Sequence, residues 1–275
     1  MPMIQANGCN FYCDTAGSGP DLVFIHGEIH GVEYWEHQLP EFSRDHRVLA
    51  YNRRGHARTE LTRYGFSLNN QTNDLKALLD HHGMARPIIV AVAFGTTIAA
   101  NFALLHPERV RALVIVAWSE LHDAMLYFHR WAKYSETVAR ILRTDGRDAL
   151  INFLMREGGK SLYMVIPTSP PAQPAVREKI VRMFGAHPVE EYEQGMLEFA
   201  TSVPNLIPAF KQLELPVLGL CGDRDPYPDQ PAILSGMKRF VEAPMIPDAG
   251  RFVHWEQPAL FNAAVRRFLA TLPAQ

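Results

Sequence analysis

Short apolar runs, many of them β-branched, recur through the first 118 positions of this chain and again after about position 215, and between them apolar residues return at helical spacing. Seven runs predict strands: GCNFYCDT (8–15), DLVFIHG (21–27), RVLAYN (47–52), PIIVAV (87–92), VRALVIVAW (110–118), LPVLGLCGD (215–223) and FVEAPMIP (240–247). Several are apolar almost without interruption, as strands covered on both faces of a parallel sheet must be. LNNQTNDLKALLDHHG opens with polar residues and closes at Gly83, and ALFNAAVRRFLATL carries apolar residues at helical spacing after Pro258, so both predict helices packed on the sheet. The alternation predicts an α/β fold with a mostly parallel central sheet flanked by helices.

From Glu120 to about Ala209 the pattern changes to helical segments broken by PTSPPAQPAV, a stretch that can continue neither a helix nor a central strand. Residues 1–119 and 210–275 are therefore expected to form one core domain, and residues 120–209 a helical insertion into it. A length of 275 residues with 47% hydrophobic content suits one large core with an insertion better than two independent domains.

Charge narrows the choice of partner. Lysine and arginine number 27 against 29 acidic residues, a net charge of −2, which gives no field to draw nucleic acid or an anionic membrane. A small, largely uncharged ligand is the expected partner. The N-terminal stretch lacks a basic start followed by an apolar run, so a cytoplasmic location is expected. Cys9, Cys13 and Cys221 suggest reduced thiols rather than a disulfide framework or a zinc cluster. His26 and His30 are four apart but follow a strand and lack a third ligand, so no metal is expected. AGSGP is not a dinucleotide fingerprint, and no cofactor is expected. Arg53, Arg54 and Arg58 are expected in a solvated loop.

FIHGEIHGVEYWEHQLP, YNRRGHART, AVAFGTTIAANFALLHPERV and GLCGDRDPYPD followed by DAGRFVHWEQP occur in this order, and together they resemble the landmarks of the α/β-hydrolase fold superfamily. The resemblance covers most of the chain outside the insertion, and it implies that the insertion, residues 120–209, is the family's helical lid. It implies a sharp strand-to-helix turn, G-x-S-x-G, that presents a nucleophilic serine served by a histidine and an acid. Here the turn reads AVAFG: Ala91 replaces the first glycine, Gly95 keeps the last, and Ala93 stands at the nucleophile position. The place of the triad histidine is held by Arg251, whose guanidinium stays protonated and cannot act as a base. The acid position is intact as Asp225, so an Asp225–Arg251 ion pair is expected where the Asp–His pair would be.

The same resemblance assigns oxyanion-hole backbone donors to Phe94 and Glu28. A Glu28 carboxylate turned inward would repel an oxyanion, but a carboxyl there suits general acid or base work. His30 matches a histidine that cofactor-free dioxygenases of this fold carry in the same loop, where it contacts substrate. Glu120 stands where some relatives place a catalytic acid. His254 is either a displaced base or a histidine packed beside Trp255 at the start of the last helix. Trp118 and the aromatic residues Tyr127, Phe128, Trp131 and Tyr134 are expected either as an apolar pocket wall or as packing within the lid.

Three readings follow. The chain is an enzyme that left acyl-enzyme chemistry for acid–base work on a small apolar carbonyl compound, by cyclisation, elimination, decarboxylation or cofactor-free oxygenation. Alternatively it is an ester or thioester hydrolase or acyltransferase whose serine has been changed to alanine. In the third reading it binds a small acyl-type ligand without turning it over.

Overall fold

One eight-stranded sheet, in the order β1-β2-β4-β3-β5-β6-β7-β8, organises the chain. The computed structural model describes residues 3–27, 31–118, 124–157, 174–225 and 230–273, with the backbone alone for 124–131, 157, 174 and 196. The strands are β1 (Met3–Ala6), β2 (Cys9–Ala16), β3 (Asp21–Ile25), β4 (Arg47–Tyr51), β5 (Ile88–Val92), β6 (Ala112–Val116), β7 (Val217–Leu220) and β8 (Phe240–Glu242). Every pairing from β4 across to β8 is parallel, and β2 is antiparallel to both β1 and β4. All residues of β5 and β6 are buried, which accounts for their uninterrupted apolar runs.

The structure adds β1 to the seven expected strands. Only Ile4 of its four residues is buried, too little pattern to read as a strand. The turn that pairs it with β2 was nevertheless written in the sequence: Asn7 and Gly8 have φ of 42° and 70°, the pair of positive angles that a two-residue hairpin needs. The last strand is shorter than expected, because Pro244 and Pro247 cannot donate to a ladder. Only an isolated bridge, Gly222 to Ile246, continues it. Cys9, Cys13 and Cys221 are buried and join no disulfide. Burial pushes the Cys9 and Cys13 thiols up to about 12, so both behave as core residues.

Helices α1 (Leu39–Phe42), α2 (Leu68–His81) and α3 (Phe94–Leu105) connect the central strands. Between β6 and β7 the chain runs through α4 (Ala124–Thr144), α5 (Arg147–Glu157), α6 (Pro174–Ala186), a π-helical turn (Glu191–Gly195), α7 (Met196–Ser202) and α8 (Ile207–Phe210). The chain closes with α9 (Gln230–Leu234), α10 (Val253–Glu256) and α11 (Pro258–Thr271). Among the described residues no helix is long and apolar enough to cross a membrane. β3 lies between β4 and β5, so the connections leaving β3 and β4 run in opposite directions along the sheet. The carboxyl ends of β3 and β5 therefore flank a switch point, where open α/β sheets gather ligands.

Candidate active site

At the carboxyl end of β5 the chain turns at Ala93 and enters α3 at Phe94. Ala93 has φ 50° and ψ −124°, a conformation that alanine adopts only when its surroundings enforce it. Ala93 N donates to Val116 O at 3.0 Å, and Thr96 Oγ1 donates to Ala91 O at 3.0 Å. A Cβ at Gly95 would lie 2.5 Å from His26 O and 2.6 Å from Ile25 O, so glycine is needed there for β3 to approach the turn. The sharp strand-to-helix turn is thus built around a methyl group that has no chemistry. Such strain costs roughly 1–3 kcal/mol, while glycine gives the unfolded chain roughly 0.4–1 kcal/mol of extra freedom. Ala93→Gly is expected to raise stability by about 1 kcal/mol in urea denaturation; a loss would show that the turn is unstrained.

The next strand ends in the same way. Ala117 after β6 also has φ 50°, and its carbonyl accepts from Arg251 Nη2 at 2.9 Å. Arg251 Nη1 lies 3.6 Å from Asp225 Oδ1, and both residues are buried, so the structure brings these two sequence-selected residues together. Glu256 supports the same loop by accepting from Gly250 N at 2.5 Å.

Tyr34, in the 3-10 helix Val32–Trp35, is buried beside this group. Burial raises its phenol well above the ordinary range; the charge of Arg251 opposes the shift, and Glu256 and Asp225 add to it. Tyr34 is therefore a protonated hydroxyl within the field of Arg251. Sequence reading passed over Tyr34 and Glu256, because GVEYWEH reads as a loop and HWEQ as a helix start.

His254 is fully buried on α10. Its ring centroid lies 3.9 Å from that of Tyr34, 5.1 Å from Trp35, and 5.9 Å from both Trp255 and Phe261. Among the described residues neither ring nitrogen meets a hydrogen-bond partner, and burial holds its pKa well below the ordinary value, so it is a neutral ring. Phe94 packs its ring against Phe199 of α7, at 5.1 Å between centroids. Trp118 is buried at the end of β6, with Nε1 donating to Thr97 Oγ1 at 2.9 Å and its ring edge-on to Phe210. Its backbone N donates to Gln230 Oε1 at 2.5 Å, a brace that no motif announced. Tyr134 is buried on α4. Glu28, His30 and Glu120, and the side chains of Tyr127, Phe128 and Trp131, lie outside the described residues.

The segment carrying Glu28 and His30 is tied at both ends. His26 Nδ1 donates to Gly27 O at 2.6 Å while its Nε2 accepts from Arg53 N at 2.9 Å, which fixes a neutral tautomer. Arg53 Nη1 also donates to Gly27 O at 3.1 Å, and Val32 N donates to Asn52 Oδ1 at 2.6 Å. These bonds correct the expectation of a solvated arginine loop. Arg53 and Arg54 are buried, Arg53 bonding Gln71 Oε1 as well and Arg54 pairing with Asp74 at 2.6 Å; Arg58 alone of the three is exposed. Buried guanidinium groups need such partners, and the sequence does not show Asp74 or Gln71 facing them.

Among the described residues no group of three or more histidine, cysteine, aspartate or glutamate side chains is placed to hold a metal ion. A cleft of about 370 Å³ lined by Arg86, Arg111 and Arg239 lies at the amino ends of the strands, away from Ala93.

The family model described as "alpha/beta hydrolase fold" matches residues 20–258, and the chain belongs to that family. It is 25% identical to a Bacillus subtilis (strain 168) protein provisionally named 2-succinyl-6-hydroxy-2,4-cyclohexadiene-1-carboxylate synthase, with 94% of each chain covered. It is 27% identical to a Mycobacterium tuberculosis protein provisionally named non-heme bromoperoxidase, over 96% of this chain and 99% of the relative. The enol-lactonase from Burkholderia xenovorans LB400 shares its fold, with a TM-score of 0.75 at 22% identity over 98% of this chain and all of that one.

Proposed function

We propose that this chain is a cofactor-independent enzyme that uses the α/β-hydrolase pocket for acid–base chemistry on a small, apolar carbonyl compound, without an acyl-enzyme intermediate. The observation that carries the reading is Arg251, buried with one guanidinium nitrogen on Ala117 O and another 3.6 Å from Asp225, taken with the alanine at the strained turn after β5; we read these two positions as the family's histidine and nucleophile seats. A single Ser-to-Ala change would leave a histidine in that seat; the arginine makes the departure from the triad a paired one. The relatives named as a synthase and a bromoperoxidase support a non-hydrolytic reaction class.

In this reading Asp225 and Ala117 O orient the guanidinium, whose permanent charge favours enolate or alkoxide character developing on a bound carbonyl. The Tyr34 hydroxyl adds a neutral donor beside it. The backbone N–H groups of Phe94 and Glu28 serve as the oxyanion donors. Glu28 and His30 carry the proton, Glu28 as acid or base and His30 as the group that orients or deprotonates a substrate hydroxyl, with Glu120 as the acid in reserve. Helices α4 to α7 act as the lid, and Trp118, Tyr127, Phe128 and Trp131 supply apolar wall.

Glu28→Gln and His30→Ala test the assignment once a ligand has been found by thermal-shift screening of small carbonyl compounds. Turnover is expected to fall by roughly 10²–10⁴ in the variant that loses the proton-transfer group, with ligand affinity largely kept. Unchanged turnover in both variants would move the chemistry elsewhere, and a ligand that wild type binds without converting would favour a noncatalytic binder.

A further inference from the structure

The inserted helices meet the core through a buried cluster that the proposed chemistry does not use. Glu191 opens the π-helical turn fully enclosed, and its two oxygens face different partners. Oε2 accepts from His187 Nδ1 at 2.6 Å, and Oε1 lies 2.8 Å from Nε2 of His56, in the core loop that follows β4. His56 Nδ1 stands 2.9 Å from the Arg54 carbonyl oxygen, which can only accept, so that nitrogen carries a hydrogen. Two lone-pair-bearing atoms 2.8 Å apart cannot both be bare, so His56 Nε2 and Glu191 Oε1 share one proton in an ion-pair contact, although its angle departs from that of a good hydrogen bond. Burial by itself raises the Glu191 carboxyl, but the charges and hydrogen bonds of His187 and His56 outweigh it and hold the group at about 2. That direction and the 2.8 Å contact fit a His56 imidazolium facing a Glu191 carboxylate, which is the starting state of the proposal below.

The described groups around His56 are engaged with partners of their own. The His26 ring is 5.2 Å from His56, centroid to centroid, but both its nitrogens are engaged by Gly27 O and Arg53 N. The Arg54 guanidinium is neutralised by Asp74, Arg53 lies over the Phe199 ring at 5.3 Å, and Tyr192 donates its hydroxyl to Phe184 O at 2.6 Å. Nearby, the insertion also completes a core helix. Glu198 Oε1 accepts from Ser67 N at 3.0 Å and Ser202 Oγ accepts from Leu68 N at 2.8 Å, two amides at the open start of α2.

We propose that His56, Glu191 and His187 form a proton-dependent joint, which seats residues 187–202 on the core while His56 is protonated and releases them when rising pH removes that proton. Loss of the proton leaves one oxygen of an enclosed carboxylate facing a nitrogen lone pair, with His187 on the other oxygen as the remaining stabilising partner, and unseating relieves that loss by admitting water. The acid side behaves differently. Glu191 sits at about 2 against an ordinary 4.5, so its contribution is present above the ordinary value and is lost only as pH falls toward about 2. The joint opens toward alkaline pH.

Nitrogen-15 NMR of the whole protein across mildly acid to mildly alkaline pH tests this. Wild type is expected to show His56 protonated at both nitrogens at neutral pH. Exchange of the Ser67 and Leu68 amides, corrected for intrinsic base catalysis, is expected to rise by roughly tenfold or more through the same transition in which His56 loses its proton. In Glu191→Gln the two amides are expected to exchange fast at every pH. Wild type alone decides the matter should that variant not fold. A His56 unprotonated at Nε2 at neutral pH, or amide protection unchanged through its titration, would overturn the joint.

Discussion

Ala93→Ser alone is expected to show no hydrolysis of p-nitrophenyl esters above background, whereas Ala93→Ser combined with Arg251→His is expected to exceed it by roughly 10²–10⁴. A serine at the elbow would be well presented, because the strained turn and the glycine that lets β3 approach it are both in place. Among the described residues it finds no proton acceptor. Arg251 stays charged, the His254 ring is enclosed by Tyr34, Trp35, Trp255 and Phe261, and both nitrogens of His26 are engaged. A histidine at position 251 would stand beside Asp225, which could orient it as a triad acid does. Comparable activity in the single variant would mean that another base, with His30 the first to examine, reaches position 93.

The second large effect is on stability. Arg251→Met is expected to cost roughly 3–5 kcal/mol in urea denaturation, because it removes the guanidinium that faces the buried Asp225 carboxylate. Adding Asp225→Leu should recover most of that loss, since an apolar pair in place of a buried ion pair is often neutral or better. The 3.6 Å separation and the bond to Ala117 O indicate that the guanidinium is held by more than one partner, so the double variant is not expected to gain stability over wild type. A cost under about 1 kcal/mol in the single variant is what a solvent-facing arginine gives, and it would remove Arg251 from the site.

The parallel core was legible because its strands are covered on both faces and so carry nearly continuous apolar runs, as in 87–92 and 110–118. The closeness of Arg251 and Asp225 and the sharp turn at Ala93 were expected from the spacing of the family's landmarks. That spacing does not tell which way a side chain turns; the aromatic enclosure of His254 and the two partners of Arg251 emerged only from the fold. β1 escaped notice because four half-exposed residues carry almost no periodicity, although Asn7-Gly8 announced its turn.

The His56–Glu191–His187 cluster could not have been read at all. His187 and Glu191 are four apart, the spacing of any surface pair on a helix, and His56 joins them only because the insertion folds back over the β4 loop. The same is true of Arg53 and Arg54, whose partners Gln71 and Asp74 lie a turn apart on α2.

Intact-mass analysis of the Ala93→Ser protein after exposure to a fluorophosphonate tests the central claim most directly, because it reads the reactivity of the seryl oxygen without requiring that any particular ester fit the pocket. With a guanidinium in the histidine seat, the single variant should remain unlabelled, while Ala93→Ser/Arg251→His gains one adduct, mapped to position 93. Rapid labelling of the single variant would contradict the account, since it would show that the pocket still activates a nucleophile with Arg251 in place.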